Sequence, residues 1–100
     1  MTDEQKALLK EDIKNYLDIT YSDDAIDNKL SGIIDRGISY LQRVAGASLD
    51  FCEENEARGL LFDYCRYARC NVLEDFETNF KSQLVSLRLC VEVENFGEEI

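Results

Sequence analysis

The chain has 100 residues, 45 % hydrophobic and 32 % charged, which suits one domain with a modest core and is too apolar for a disordered chain. It has no proline and only five glycines, which argues against a sandwich or barrel with punctuated turns and for long helices. A net charge of −10 repels nucleic-acid phosphates and anionic membrane surfaces, and the lack of histidine excludes the usual Ser-His and Cys-His nucleophile pairs.

A first helix is predicted from a Thr2 or Asp3 cap to about Leu17, with Leu9, Ile13, Tyr16 and Leu17 on one face. Asp18–Ser22 reads as a connector. Ser22 or Asp23 then caps a second helix, whose stripe is Ile26, Leu30, Ile33, Ile34, Ile38, Leu41 and Val44. Gly46 is its expected left-handed stop. Gly32 and Gly37 inside this helix each cost about 1 kcal/mol relative to alanine, so they imply a close helix approach or a bend. Residues 47–55 read as a loop from which Leu49 and Phe51 fold back onto the core.

The third helix is predicted from about Glu54 to Leu73. Ala57, Leu60, Leu61, Tyr64, Cys65, Ala68 and Val72 form its inward face, with Arg58, Arg66 and Arg69 mostly elsewhere. Helical spacing continues through Leu73, Phe76, Phe80, Leu84 and Leu87. A break near Asp75, with Asp75 as a cap, is preferred to one continuous bent helix. From Cys90 the alternation Val91-Glu92-Val93-Glu94 predicts an extended, acidic tail with a mobile end. The reading is all-α: a small bundle of about four helices over residues 1–90, followed by an acidic C-terminal tail over 91–100.

Candidate chemistry is sparse. Cys52, Cys65, Cys70 and Cys90 lack C-x-x-C spacing, so they read as ordinary thiols in a reducing cytosol and not as zinc ligands. Met1–Lys14 is polar, unlike a signal peptide, and no apolar run nears the roughly 20 residues that span a bilayer. Asp23, Asp24 and Asp27 form the tightest carboxylate cluster, which suits a helix start. A calcium loop counted from Asp18 fails at Asp23, where glycine is needed, and at Lys29, where glutamate is needed. No phosphate-binding glycine loop is present. Neither an enzyme nor a bound cofactor is expected.

The remaining candidates concern assembly. Arg58, Arg66 and Arg69 either pair with neighbours such as Asp63 and Glu74, or reach an acidic face of another copy. Phe76 and Phe80 either dock the last helix or line an interface. Arg66, Arg69, Phe76 and Phe80 are therefore the candidate subunit or partner contacts.

The order of elements carries a resemblance. It runs from Tyr16-Leu17-Asp18-Ile19 through the acid-capped Asp23-Asp24-Ala25-Ile26 to a long helix with Ile33-Ile34 and Gly37-Ile38-Ser39-Tyr40-Leu41. After Gly46 come Leu61-Phe62-Asp63-Tyr64-Cys65-Arg66-Tyr67-Ala68, then Leu73-Glu74-Asp75-Phe76-Glu77-Thr78-Asn79-Phe80 leading into Leu84-Val85-Ser86-Leu87-Arg88-Leu89. Nearly the whole chain resembles the head–tail connector (adaptor) proteins of long-tailed bacteriophages and prophages. The resemblance implies a structural virion protein that forms a ring under the portal protein, extends the DNA channel and docks a stopper or tail-completion protein. It implies a place at the virion head–tail interface, after assembly in the bacterial host cytoplasm. The acidic charge suits a channel that passes DNA without sequence-specific binding. The competing readings are an acidic inhibitor or DNA mimic that binds a basic host protein, and a small helical enzyme or metalloprotein.

Overall fold

The computed structural model describes residues 1–21 and 23–99, with side chains through residue 94. Helix α1 spans Asp3–Tyr16, and Thr2 and Gln5 satisfy one another's backbone N–H groups in a capping box. It ends where Asp18 turns left-handed at φ 59°, with Ile19 N–H returning to Lys14 O and Asp18 N–H to Asn15 O. Helix α2 spans Asp24–Ala45. Asp23 caps it by accepting from the Ala25 and Ile26 N–H groups, and Gly46 ends it at φ 74°. The alternative cap, Ser22, lies outside the described residues.

Helix α3 spans Glu56–Arg69, capped by the Asn55 side chain on Arg58 N–H. Its end comes earlier than its periodicity predicts. Asn71 adopts φ 60°, Val72 N–H returns to Tyr67 O, and Asn71 N–H returns to Ala68 O. This paired closure is a Schellman stop, and asparagine tolerates its left-handed position better than other side-chain-bearing residues do. A 3₁₀ turn at Leu73–Asp75 and a short helix α4, Phe76–Asn79, follow. The break expected near Asp75 is thus a whole segment, and Asp75 makes no capping hydrogen bond. Helix α5 spans Lys81–Glu99. Residues 91–94 therefore continue a helix where alternation predicted an extended chain. An alternation of four residues is too short to outweigh a preceding helical run. Of the chain end expected to be mobile, residue 100 lies outside what is described. No strand occurs among the described residues.

The core joins all of these elements. Leu9, Ile13, Leu17 and Ile19 come from α1 and its exit, and Leu30, Ile33, Ile34 and Leu41 from α2. Ala57, Leu60, Leu61, Tyr64 and Cys65 come from α3, and Leu84 and Leu87 from α5. Phe51 folds back and is buried, with Leu49 beside it. Gly37 is the close-approach glycine. A Cβ there would lie 2.8 Å from both Leu61 Cδ1 and Tyr64 Cδ1. Gly32 meets only the flexible end of Arg36.

Two apolar assignments move outward. Tyr16 and Val72 are exposed, because Tyr16 sits at the last turn of α1 and Val72 lies beyond the end of α3. One polar residue moves inward. Lys14 is buried, with its ammonium 3.1 Å from Asp27 Oδ1 at the start of α2. Its carbon stem covers apolar surface while the charge meets a carboxylate near the positive helix end.

Helix α1 packs on α2 and α3, while α5 packs on α2, α3 and α4. The two end helices thus flank the α2–α3 pair, each leaving an outer face to solvent.

Candidate assembly surface

Helix α3 carries the three arginines, and the fold gives each a different task. Arg58 is nearly buried. Its Nη1 donates to Phe51 O at 3.0 Å, its Nη2 to Asp12 Oδ2 at 2.6 Å, and its guanidinium lies 4.8 Å from the centre of the Phe62 ring. It thereby ties α1, the 47–55 loop and α3 together. Arg69 donates from Nη1 to Leu17 O at 3.0 Å, closing an orphan carbonyl at the end of α1. It makes no pair with Glu74 among the described residues. Arg66 pairs with Asp63 at 3.2 Å, one helical turn back, and stays half exposed. Asp63 also accepts from the Tyr16 hydroxyl at 2.7 Å, and that hydrogen bond, followed by burial, raises the Tyr16 pKa.

Phe76 is buried and central to an aromatic cluster. Its ring stacks on Phe80 at 4.9 Å between centroids and meets Tyr40, Tyr64 and Tyr67 edge-on at 6.2, 5.6 and 5.7 Å. Phe80 is partly buried against Tyr67. Of the two roles open to these phenylalanines, Phe76 occupies the docking one, holding α4 and the start of α5 against α2 and α3. Tyr67 links three of the four candidate contacts, because its ring packs on Phe76 and Phe80 and lies 5.2 Å from the Arg66 guanidinium. Arg66 also pairs with Asp63, and Arg69 is held by Leu17 O at the end of α1.

The surface that the sequence reading missed lies on α5. Val85, Leu89 and Val93 form an i, i+4, i+8 row and are 50 %, 53 % and 70 % exposed. Ser82, Ser86 and Cys90 edge this row. The inner face of the same helix, Leu84, Leu87 and Val91, packs on the core. The signal was present in the sequence. Alternate apolar positions at 84, 87 and 91 and at 85, 89 and 93 make α5 apolar on two faces, which one bundle contact cannot cover. Beside the outer row, a groove of about 550 Å³ between α2 and α5 is lined by Tyr40, Arg43, Lys81 and Arg88 among others.

The chemistry of the remaining groups is quiet. All four cysteines are free, and burial pushes the Cys65 thiol up to about 12. No group of three or more metal-binding side chains is found among the described residues. No described helix is long and apolar enough to cross a membrane. No protein-family model matches the chain, and no curated protein or solved structure matches it significantly.

Proposed function

We propose that this chain is a ring-forming head–tail connector: a structural virion protein that sits under a portal protein, extends the DNA channel and presents a platform for a stopper or tail-completion protein. The observation that carries the reading is the outer row of α5. A 100-residue bundle that has already closed its core leaves Val85, Leu89 and Val93 in solvent, which suits a chain made to be covered by another.

Charge supports the same role. Lys6, Lys14, Arg58, Arg66 and Arg88 are paired to carboxylates within the chain, and Arg69 is held by a carbonyl. With 21 acids against 11 bases, the exposed surface keeps many carboxylates without an ion pair among the described residues, among them Asp3, Asp18, Asp24, Glu53 and Glu56. A lumen lined by such groups repels phosphate and lets DNA pass without sticking. The buried Cys65 and the lack of histidine fit a role without catalysis or cofactor.

The test is co-elution with the portal protein encoded by the same genome. A stable complex that forms with the portal and not with free DNA supports the proposal. A chain that ignores the portal at micromolar concentrations, or binds duplex DNA directly, removes it.

A further inference from the structure

The outer faces of α1 and α5 carry the same pattern with opposite charge. On α5 it is Lys81, Val85 and Arg88, at positions i, i+4 and i+7. On α1 it is Glu4, Leu8 and Glu11, again at i, i+4 and i+7. In each case two like charges stand two helical turns apart, about 10 Å, with an apolar residue between them. Leu8 is 63 % exposed and Val85 50 %. Glu4, Glu11 and Lys81 make no ion pair among the described residues. Arg88 holds only Glu92 at 3.3 Å, an exposed pair easily exchanged. Arg43, in the groove beside Lys81, adds a further base without an ion pair among the described residues, so Arg43, Lys81 and Arg88 outnumber Glu77 and Glu92 along that groove.

We infer that the α1 face Glu4–Leu8–Glu11 of one copy docks on the α5 face Lys81–Val85–Arg88 of the next. Leu8 enters between Val85 and Leu89, and the two glutamates meet Lys81 and Arg88 in either helix direction. Because α1 and α5 flank the α2–α3 pair, a copy that uses its α1 to dock still offers its own α5. Such a contact is head-to-tail, so it repeats from copy to copy and closes as a ring when the rotation allows. One helix pair buries less than the roughly 800 Å² per partner of a standard interface, so a single contact is weak. Closure gives every copy two such contacts. The inference rests on the ring reading only for closure; the pairing of the two faces stands or falls separately.

Sedimentation velocity over a concentration series at low salt, with two double variants, tests it. Lys81→Glu/Arg88→Glu makes both faces acidic, and Glu4→Lys/Glu11→Lys makes both basic. Each variant alone is expected to associate at least about 10-fold more weakly than the parent chain. An equimolar mixture is expected to recover association, because each variant's altered face complements the other's. Circular dichroism checks folding. If the first variant unfolds, Lys81→Gln/Arg88→Gln replaces it and must weaken association without repelling the parent chain. Parent-like association of either double variant alone, a mixture that stays dissociated, or a parent chain that remains at 11.5 kDa up to about 1 mM overturns the inference. Loss in the α5 variant with none in the α1 variant also overturns it, in favour of α5 pairing with itself. Recovery in the mixture as open chains without rings keeps this contact and refutes the ring.

Discussion

Gly37 lets α2 approach α3 so closely that a Cβ at residue 37 would stand 2.8 Å from Cδ1 of Tyr64. Tyr64 cannot retreat, because its ring is packed by Tyr40 at 5.7 Å and Phe76 at 5.6 Å. Gly37→Ala is therefore expected to destabilise the fold by about 1–3 kcal/mol despite the better helix propensity of alanine. Gly32→Ala has the opposite sign. Its Cβ meets only Arg36 Nη1 at 3.3 Å, the movable end of an exposed side chain, so a gain of about 0.5–1 kcal/mol is expected. Urea unfolding of the two variants, compared at equal slope, checks both signs.

The two glycines also show what the sequence could and could not say. Periodicity located both inside the second helix, and the cost of glycine there required a reason. Which of them faces a neighbour depends on how α2 is rotated against α3, a tertiary property. The starts of α1 and α2 were legible because Thr2 and Asp23 are local capping signals, whereas Asn55, the cap of α3, was read as loop. The end of α3 was readable at Asn71 but outweighed by the apolar spacing that runs on through Leu73. Lys14 was not legible, because its burial depends on Asp27 arriving from another helix. The apolar outer row of α5 was hidden by the Val-Glu alternation, which imitates a strand.

Arg58 is expected to matter far more than Arg66. It bonds Asp12 and Phe51 O while stacking on Phe62, a geometry that lysine's single ammonium cannot reproduce. Arg58→Lys should cost about 1–3 kcal/mol. Arg66→Ala, which removes a half-exposed pair with Asp63, should cost less than about 1 kcal/mol. Thermal or urea unfolding ranks the two, and equal losses would contradict the assigned roles.

The thiols are expected to separate cleanly. Cys52, Cys70 and Cys90 are exposed and Cys65 is buried with its pKa pushed up to about 12. A thiol reagent at mildly alkaline pH should modify the first three in the folded chain and reach Cys65 only on unfolding. Mass spectrometry of peptides after a short pulse identifies the protected site. Fast labelling of Cys65 would mean that the α2–α3 contact opens readily.

Alkaline stability follows from three tyrosines. A hydrogen bond to Asp63, then burial, raises the Tyr16 pKa, and burial raises those of Tyr40 and Tyr64. For a phenol the raised folded value means that the neutral form is favoured in the fold. Its contribution is fully present below the unfolded value of 10.0 and is lost as pH rises through the folded value. Stability should therefore fall above about pH 10, and Tyr16→Phe should flatten part of that fall. Urea midpoints measured across this range check the slope, and a parent and variant with identical slopes would exclude Tyr16 as a contributor.

The most direct test of the assembly role is native mass spectrometry of the chain with and without the portal protein from the same genome. The expected result is one closed stoichiometry of chains on the portal, matched to the portal's own rotational symmetry, with the α1–α5 charge variants failing to fill it. A chain that stays monomeric beside the portal at every concentration, or that binds it without a fixed ring number, would contradict it.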